Sequence, residues 1–269
     1  MDAPKLVFVG GLHRSGTTLL ARCLAEHPLV GGFEGTGVPA DEGQHLQSVY
    51  PPAKAYGGPG LFAFTPEAHL TESSPLVSEE NARRLLADWG RHWDTTKPVL
   101  IEKSPPNLIR MRFLQALFPE AAFVVVIRHP VAVAYATSKW RRRTPIRKLL
   151  EHWVVAHELY RSDRGHLDRL LEVRFEDFVG DPEGELARVS RFVGVEARAT
   201  SLDIDAQSNG RYFARWRTEE ASLAGRVSHG LIRRRLGARV AAFGYSLVDL
   251  EAGGAPGDVS PSAAAEERA

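Results

Sequence analysis

Apolar and polar residues form blocks along the chain that predict strands alternating with helices. Apolar, β-branched runs predict strands at residues 5–10, 98–102, 122–127 and 169–175, and the fully apolar run 122–127 is typical of a strand buried on both faces. Helical spacing predicts helices at residues 17–27, 78–93, 107–118, 130–139, 146–160, 182–193 and 231–243. This alternation predicts the α/β class, with a doubly wound parallel sheet flanked by helices in a single domain over residues 1–250.

Two segments depart from the alternation. Residues 29–75 lack periodicity and are rich in Gly, Pro and acidic residues, yet they carry five aromatic residues, which argues against disorder. We expect this segment to form substrate-binding loops at the carboxyl edge of the sheet. Residues 251–269 are rich in Gly, Ala, Pro, Ser and Glu, and we expect a flexible C-terminal tail there.

Composition narrows the class of protein. The chain of 269 residues has a net charge of +1, which is not the basic field of a general nucleic-acid binder. Its single cysteine, Cys23, excludes an intrachain disulfide and suits a reducing compartment. No apolar stretch has the length of a membrane span, and the first residues lack the profile of a signal peptide. These features lead us to expect a cytoplasmic protein, and they do not predict its oligomeric state.

A glycine-rich turn, Gly10-Gly11-Leu12-His13-Arg14-Ser15-Gly16-Thr17-Thr18, joins the first predicted strand to the first predicted helix. Main-chain N–H groups in such a turn, together with a helix N-terminus, bind anions. The turn nearly matches the P-loop pattern, but Thr17 stands where that pattern has lysine, and the cation Arg14 lies inside the loop. This departure favours a nucleotide whose reactive anion needs no metal over a triphosphate held with Mg²⁺.

Four segments, in this order, resemble motifs of the sulfotransferases that use 3′-phosphoadenosine 5′-phosphosulfate (PAPS). They are His13-Arg14-Ser15-Gly16-Thr17-Thr18, Glu102-Lys103-Ser104-Pro105-Pro106-Asn107, Val124-Val125-Val126-Ile127-Arg128-His129-Pro130, and Val173-Arg174-Phe175-Glu176-Asp177-Phe178 followed by Asp181-Pro182. The resemblance is to bacterial and tyrosyl-protein-like members. It implies a P-loop-like sulfotransferase core, PAPS as sulfonate donor, PAP as product and metal-independent transfer.

The resemblance also implies roles for individual residues. The loop His13, Arg14, Ser15, Gly16, Thr17 and Thr18 would bind the 5′-phosphosulfate, and Arg128 the 3′-phosphate. The family pattern has a serine eight residues after this arginine, where the chain has Ala136, so Thr137 or Ser138 would take its place and Arg141 would add a contact. Lys103 and Arg14 would offset charge on the sulfonate and the leaving phosphate.

Three residues are candidates for the base that takes the acceptor's proton. Glu34 lies where tyrosyl-protein-like members carry their base glutamate, His45 is its rival because histidine titrates near neutral pH, and His13 is a third option. The acceptor would be a hydroxyl on a small molecule, carbohydrate, lipid or peptide, with no nucleic-acid partner. Asp41, Glu42 and His45 match no metal-site spacing, so no metal is expected.

Two other functions stay open on the sequence. A P-loop-type nucleotide-dependent kinase would share the loop but would depend on ATP and Mg²⁺, and the absent loop lysine argues against it. A catalytically silent nucleotide-binding module would need no base.

Overall fold

A five-stranded parallel sheet forms the centre of the protein in a computed structural model, which describes residues 4–251. The strands are β1 (Lys5–Gly11), β2 (Val30–Gly31), β3 (Val99–Lys103), β4 (Ala122–Ile127) and β5 (Leu170–Arg174), in the order β2-β3-β1-β4-β5. All pairs are parallel, and Val9 of β1 lies opposite both Lys103 of β3 and Val124 of β4. The strand order reverses at β1, which confirms the doubly wound fold and is where such sheets bind ligands.

The helices of the described part are α1 (Thr17–Ala25), α2 (Glu79–Gly90), α3 (Met111–Leu117), α4 (Pro130–Ser138), α5 (Ile146–Asp163), α6 (Phe175–Gly180), α7 (Pro182–Val193), α8 (Gly210–Glu220) and α9 (Leu223–Ala241). Their starts follow from local chemistry. The side chain of Ser78 accepts a hydrogen bond from the main-chain N–H of Asn81 and caps α2. The side chain of Asp181 accepts one from the main-chain N–H of Gly184 and caps α7. No helix within residues 4–251 combines the length and apolar character that crossing a bilayer requires.

Side chains of β1 alternate between the two faces of the sheet. Val7 and Val9 join the cluster that packs under α1 and α7. Phe8 points the other way, where its ring lies 5.7 Å from that of Phe123 and 5.8 Å from that of Trp89. Both faces are therefore covered, as the apolar run of β4 predicts.

The chain divides into two compact units, whose described residues are 4–214 and 215–251. The first contains the sheet and α1 to α7. The second contains most of α8 and all of α9. A single domain over residues 1–250 stays a prediction, and of the predicted tail only Glu251 lies within the described residues.

Several element boundaries differ from the sequence prediction for identifiable reasons. The helix predicted at 107–118 is broken at Arg110, whose φ of −134° separates a 3-10 turn at Pro105–Ile109 from α3. Helix α6 begins directly at the end of β5, within the run assigned to strand. Helices α6 and α8 and the two-residue strand β2 were not predicted, and α9 begins at Leu223 rather than at residue 231.

The 29–75 segment contains β2 and five short 3-10 turns. Arg110, which is 1% exposed, holds it to the sheet domain. Its guanidinium donates to the main-chain oxygens of Pro51 at 3.1 Å and Ala68 at 3.3 Å and lies 5.0 Å from the Tyr50 ring centre. A buried arginine with these carbonyl partners explains how an aperiodic segment packs in order.

Candidate functional site

The turn between β1 and α1 brings main-chain N–H groups to the carboxyl edge of the sheet. Gly16 has a φ of +100°, and a Cβ there would overlap the ring of Phe175. Gly11 has a φ of +149°, and a Cβ there would overlap the main-chain oxygen of Val126. No side chain caps α1. The hydroxyl of Ser15 is buried, and within residues 4–251 it has no hydrogen-bond partner. Uncapped N–H groups and an unpartnered hydroxyl form a site suited to an anion.

Arg14 takes a left-handed conformation, with a φ of +72°. Such a φ costs a residue with a Cβ on the order of 1–2 kcal/mol. Its exposed guanidinium lies 5.2 Å from the ring centre of Trp140, at the open side of the loop. Its main-chain oxygen points inward and accepts a hydrogen bond from Arg128. Strain of this kind is concentrated at functional sites.

Arg128 follows β4 and is 6% exposed. Its Nη1 donates to the oxygen of Arg14 at 2.9 Å, its Nε donates to Oδ1 of Asn209 at 2.8 Å, and its Nη2 donates to the oxygen of Ser208 at 3.3 Å. The guanidinium also lies 4.0 Å from the ring centre of Phe175. Burial lowers its pKa to about 10, which leaves it cationic at neutral pH. Arg128 thus connects the anion-binding loop to Ser208 and Asn209, which no sequence motif indicated.

The residues predicted to accompany Arg128 lie on α4 and just beyond it. Thr137 is buried. The hydroxyl of Ser138 donates to the main-chain oxygen of Tyr135 at 2.9 Å. Arg141 donates through Nε to the oxygen of Pro59 at 2.8 Å and through Nη2 to that of Gly57. Arg141 therefore holds the turn at residues 57–59, and the roles of these three residues toward a 3′-phosphate stay predictions.

Lys103 ends β3 and is 5% exposed. Its Nζ donates to the main-chain oxygen of Ala40 at 2.7 Å and lies 3.6 Å from Oε1 of Glu42. Burial lowers the pKa of this lysine, and the carboxylate of Glu42 opposes that shift. Because Lys103 lies opposite Val9, the register of the sheet brings it beside the strand that leads into the anion loop.

Glu42 is a site residue whose role no sequence pattern indicates, because its neighbours Asp41 and His45 suggest only a metal site, whose spacing they do not match. Its side chain is almost fully buried, and it accepts a hydrogen bond from Nε2 of Gln44. Nε2 of His45 lies 3.9 Å from the same oxygen, Oε2. Burial raises the pKa of Glu42, while Lys103 and Gln44 oppose the shift. Burial also lowers the pKa of His45, with Lys103 contributing. A carboxyl with a raised pKa beside a lysine suits a proton acceptor.

The turn before Glu42 is strained. Ala40 and Asp41 have φ values of +53° and +48°, and Thr36 fixes the turn by donating its N–H and its hydroxyl to Oδ1 of Asp41 at 2.8 and 2.6 Å. This conformation directs the carbonyl of Ala40 at Lys103. Arg14, Ala40 and Asp41 are the non-glycine residues with positive φ between Pro4 and Glu251. The strain is thus concentrated at the anion loop and at the contacts of Lys103.

Glu102 lies beneath these groups. It is fully buried and accepts hydrogen bonds from the Ser104 hydroxyl and from Nδ2 of Asn107. Ser104 in turn accepts from the main-chain N–H of Gln44 at 2.8 Å. Burial raises the pKa of Glu102 to about 7. Glu102 therefore connects the end of β3 to the 3-10 turn that carries Gln44 and His45.

Two predicted base candidates lie in different surroundings. Glu34 is exposed on the loop after β2, next to Phe33, whose ring is 5.0 Å from that of Trp93. The ring of His13 contacts the edge of Phe62 at 5.8 Å, and burial lowers its pKa to about 3, so it is neutral. Both assignments as a base stay predictions.

The comparison with known families identifies the chain. The model described as "Sulfotransferase family" matches residues 4–199. The chain belongs to the sulfotransferase family. That range contains the anion loop, Lys103 and Arg128, and the resemblance drawn from the four motifs is confirmed.

Two curated relatives show the range of this family. One is an omega-hydroxy-beta-dihydromenaquinone-9 sulfotransferase of Mycobacterium bovis, 32% identical over 45% of this chain and 37% of the relative. The other is protein-tyrosine sulfotransferase 2 of Gallus gallus, 26% identical over 73% of this chain and 53% of the relative. The chain thus matches about a third to about half of the length of these relatives.

Solved structures of the family share the fold at low identity. The sulfotransferase domain of the Synechococcus olefin synthase has a TM-score of 0.50 at 19% identity, covering 80% of this chain and 89% of that one. The sulfotransferase STF1 of Mycobacterium tuberculosis has a TM-score of 0.51 at 16% identity, covering 88% and 77%. These likenesses support the P-loop-like sulfotransferase fold.

Proposed function

We propose that this family member transfers the sulfonate of PAPS to an acceptor hydroxyl and releases PAP. The observation that carries the proposal is the position of Arg128. Its guanidinium, held between the oxygen of Arg14 and residues 208–209, lies next to the anion loop. A donor with a 5′-phosphosulfate and a 3′-phosphate needs two neighbouring anion sites, whereas ADP needs only the first and a metal.

The residues present fit such a donor. The unpartnered hydroxyl of Ser15 and the uncapped N-terminus of α1 would bind the 5′-phosphosulfate, together with the guanidinium of Arg14. Thr17 and Thr18, which both carry a hydroxyl, are the first two residues of the same helix. Arg128 would bind the 3′-phosphate, exchanging some of its present carbonyl partners for a charged one.

The transfer we propose is an in-line displacement at sulfur. The acceptor oxygen forms a bond to sulfur while the bond from sulfur to the 5′-phosphate oxygen breaks, and the electron pair leaves on PAP. Lys103 and Arg14 offset the negative charge that grows on the leaving phosphate. The acceptor's proton passes to a carboxylate of this chain.

We propose Glu42 as that carboxylate; the bases predicted from sequence, the carboxylate of Glu34 and the imidazole of His45, are the alternative proton acceptors. The geometry favours Glu42, because its carboxylate lies 3.6 Å from Lys103, the residue assigned to the sulfonate. Its pKa is raised by burial, toward the range that suits a base at neutral pH. A small cavity of about 40 Å³, lined in part by Thr18, Phe33 and Lys103, is our candidate for the path of the acceptor hydroxyl.

The names of the two curated relatives supply the classes of acceptor to test first. They are a hydroxylated menaquinone, which is a lipid, and a protein tyrosine. Each carries the hydroxyl that the proposed transfer requires.

Calorimetric titration with PAP, and separately with ADP plus Mg²⁺, tests the donor assignment. We expect PAP to bind more tightly, because only PAP has a 3′-phosphate for Arg128. Titration with 5′-AMP is the matched control, since it differs from PAP by that phosphate alone. Binding of ADP that is tighter than that of PAP and requires Mg²⁺ would overturn the proposal in favour of a kinase.

A further inference from the structure

Helix α9 has two apolar faces, of which one is buried in the protein and the other is exposed. Ile232, Leu236 and Val240 are buried and form the inner face. On the outer side Leu223, Val227 and Leu231 are 76%, 65% and 57% exposed. These three residues are spaced four apart, so they form one continuous stripe along the helix surface. Apolar side chains arranged in this way, rather than scattered singly, indicate an interaction site.

The same helix carries five arginines and no Asp or Glu. Arg226 and Arg234 are exposed and lie beside and beyond the stripe, respectively. Neither side chain makes a hydrogen bond or ion pair with another described residue, whereas the side chain of Arg233, on a different side of the helix, pairs with Glu220. We call Leu223, Arg226, Val227, Leu231 and Arg234 the α9 face.

We propose that the α9 face docks on an anionic lipid surface. An interfacial helix places aliphatic side chains at the boundary between headgroups and acyl chains and guanidinium groups on the lipid phosphates. The α9 face has both parts in one helix of 19 residues. The apolar stems of Arg226 and Arg234 can lie along the same boundary while their charges reach the headgroups.

The charges of the face favour this occupant over a second copy of the chain. A symmetric pair would bring the same patch against itself and place Arg226 and Arg234 against cations of equal charge. An anionic lipid surface instead supplies negative charge along the whole helix. Its fluid apolar boundary accommodates a convex stripe without a preformed groove.

Sedimentation of the full chain with vesicles tests the proposal. The probes are vesicles of phosphatidylcholine alone and of phosphatidylcholine mixed with phosphatidylglycerol. We expect affinity for the mixed vesicles to be about 30-fold higher, which corresponds to two arginines near the anionic surface. Added salt should reduce that difference.

Matched variants separate the two parts of the face. Val227→Ser with Leu231→Ser should lower the affinity for mixed vesicles at least about tenfold, whereas Leu86→Ser, at an exposed leucine of α2, should leave it unchanged. Arg226→Gln with Arg234→Gln should abolish the preference for phosphatidylglycerol. Arg84→Gln with Arg198→Gln, which removes two exposed arginines elsewhere, is its control. Circular dichroism verifies that each variant is folded.

Three outcomes would overturn the proposal. One is equal affinity for both kinds of vesicle. Another is vesicle binding that the variants of the α9 face do not reduce. The third is a lipid-independent dimer in analytical ultracentrifugation that Val227→Ser with Leu231→Ser dissociates, which would assign the face to a second copy.

Discussion

Arg128 donates a hydrogen bond to the main-chain oxygen of Arg14 at 2.9 Å. This contact joins the end of β4 to the strained residue of the anion loop, across the point where the strand order reverses. The carbonyl that accepts the bond belongs to the residue whose φ is +72°. The position of the proposed 3′-phosphate ligand is therefore coupled to the conformation of the proposed 5′-phosphosulfate loop.

Replacing Arg128 by lysine should reduce the discrimination between PAP and 5′-AMP. Lysine keeps the charge but loses the planar fork that now contacts Arg14 and Asn209. We expect the ratio of the two affinities to fall by about 30-fold, the equivalent of one charge-assisted hydrogen bond. Calorimetry with both nucleotides measures it. An Arg112→Lys variant, altered at an arginine paired with Glu72, is the control, and an undiminished ratio in Arg128→Lys would refute the assignment.

Replacing Glu42 by glutamine should slow the chemical step strongly and leave donor binding unchanged. Glu42→Gln keeps the shape of the side chain but removes the proton acceptor, and loss of a general base lowers kcat by about 10²–10⁴-fold. Single-turnover rates with PAPS, alongside calorimetry with PAP, separate the two effects. Glu34→Gln and His45→Gln are measured in parallel. A large loss of rate in Glu34→Gln alone would return the role of base to the sequence-derived candidate.

Glycine at position 14 should stabilise the fold while weakening donor binding. The left-handed φ of Arg14 costs a side-chain-bearing residue about 1 kcal/mol that glycine does not incur. The same change removes the guanidinium proposed to bind the 5′-phosphosulfate, whose 5′-phosphate is retained in PAP. The midpoint temperature of unfolding should therefore rise, while the affinity for PAP measured by titration should fall. In Arg22→Gly, in the middle of α1, we expect the reverse effect on stability, because glycine lowers helix propensity by about 1 kcal/mol.

The sequence predicted the sheet and the loop well because their residues carry local patterns. The β-branched run of β4 and the glycine turn after β1 each specify their own structure. The two-residue strand β2 is too short for any periodicity to mark it. Helix α6 follows β5 without an intervening turn residue, so its first residue, Phe175, falls within the predicted strand.

The sequence predicted the cationic residues of the candidate site, Lys103 and Arg128, but not its buried carboxylate, Glu42. Lys103 and Arg128 directly follow apolar strands, and strand ends converge at one edge of a parallel sheet. The burial of Glu42 depends on a strained turn at Ala40 and Asp41, which packs it against β3. Ser208, a partner of Arg128, is about 80 residues away in sequence. Neither arrangement leaves a local pattern in the chain.

Alanine at position 43 should destabilise the turn that carries Gln44 and His45. Gly43 lies against the carboxyl group of Glu102, and a Cβ there would overlap it. The Glu102 side chain cannot move away from the added methyl group, because it is fully buried and bound to Ser104. We expect a loss of about 1–3 kcal/mol in the free energy of unfolding. Gly90→Ala is the matched control: it meets no atom within 4 Å and ends α2, so it should stabilise by up to about 1 kcal/mol.

Stability should fall as pH rises from about 4.5 to about 7, and Glu102 should cause much of the fall. Burial raises its pKa from 4.5 to about 7, so between these values the folded state binds more protons than the unfolded state. The free energy of unfolding therefore decreases with pH in this window, by at most about 1.4 kcal/mol per pH unit for one group. The raised pKa of Glu42 acts in the same direction.

Glu102→Gln tests the origin of this dependence, because glutamine fills the same space and does not ionise. Urea unfolding at several pH values should give a flatter stability profile for the variant than for the native protein. Glu67→Gln, which removes an exposed carboxylate, is the control for the change in net charge. A profile of Glu102→Gln as steep as that of the native chain would mean that other groups cause the fall. Since Ser104 joins Glu102 to the main chain of Gln44, a flatter profile would assign the pH dependence to the carboxyl group that supports the turn beside Lys103.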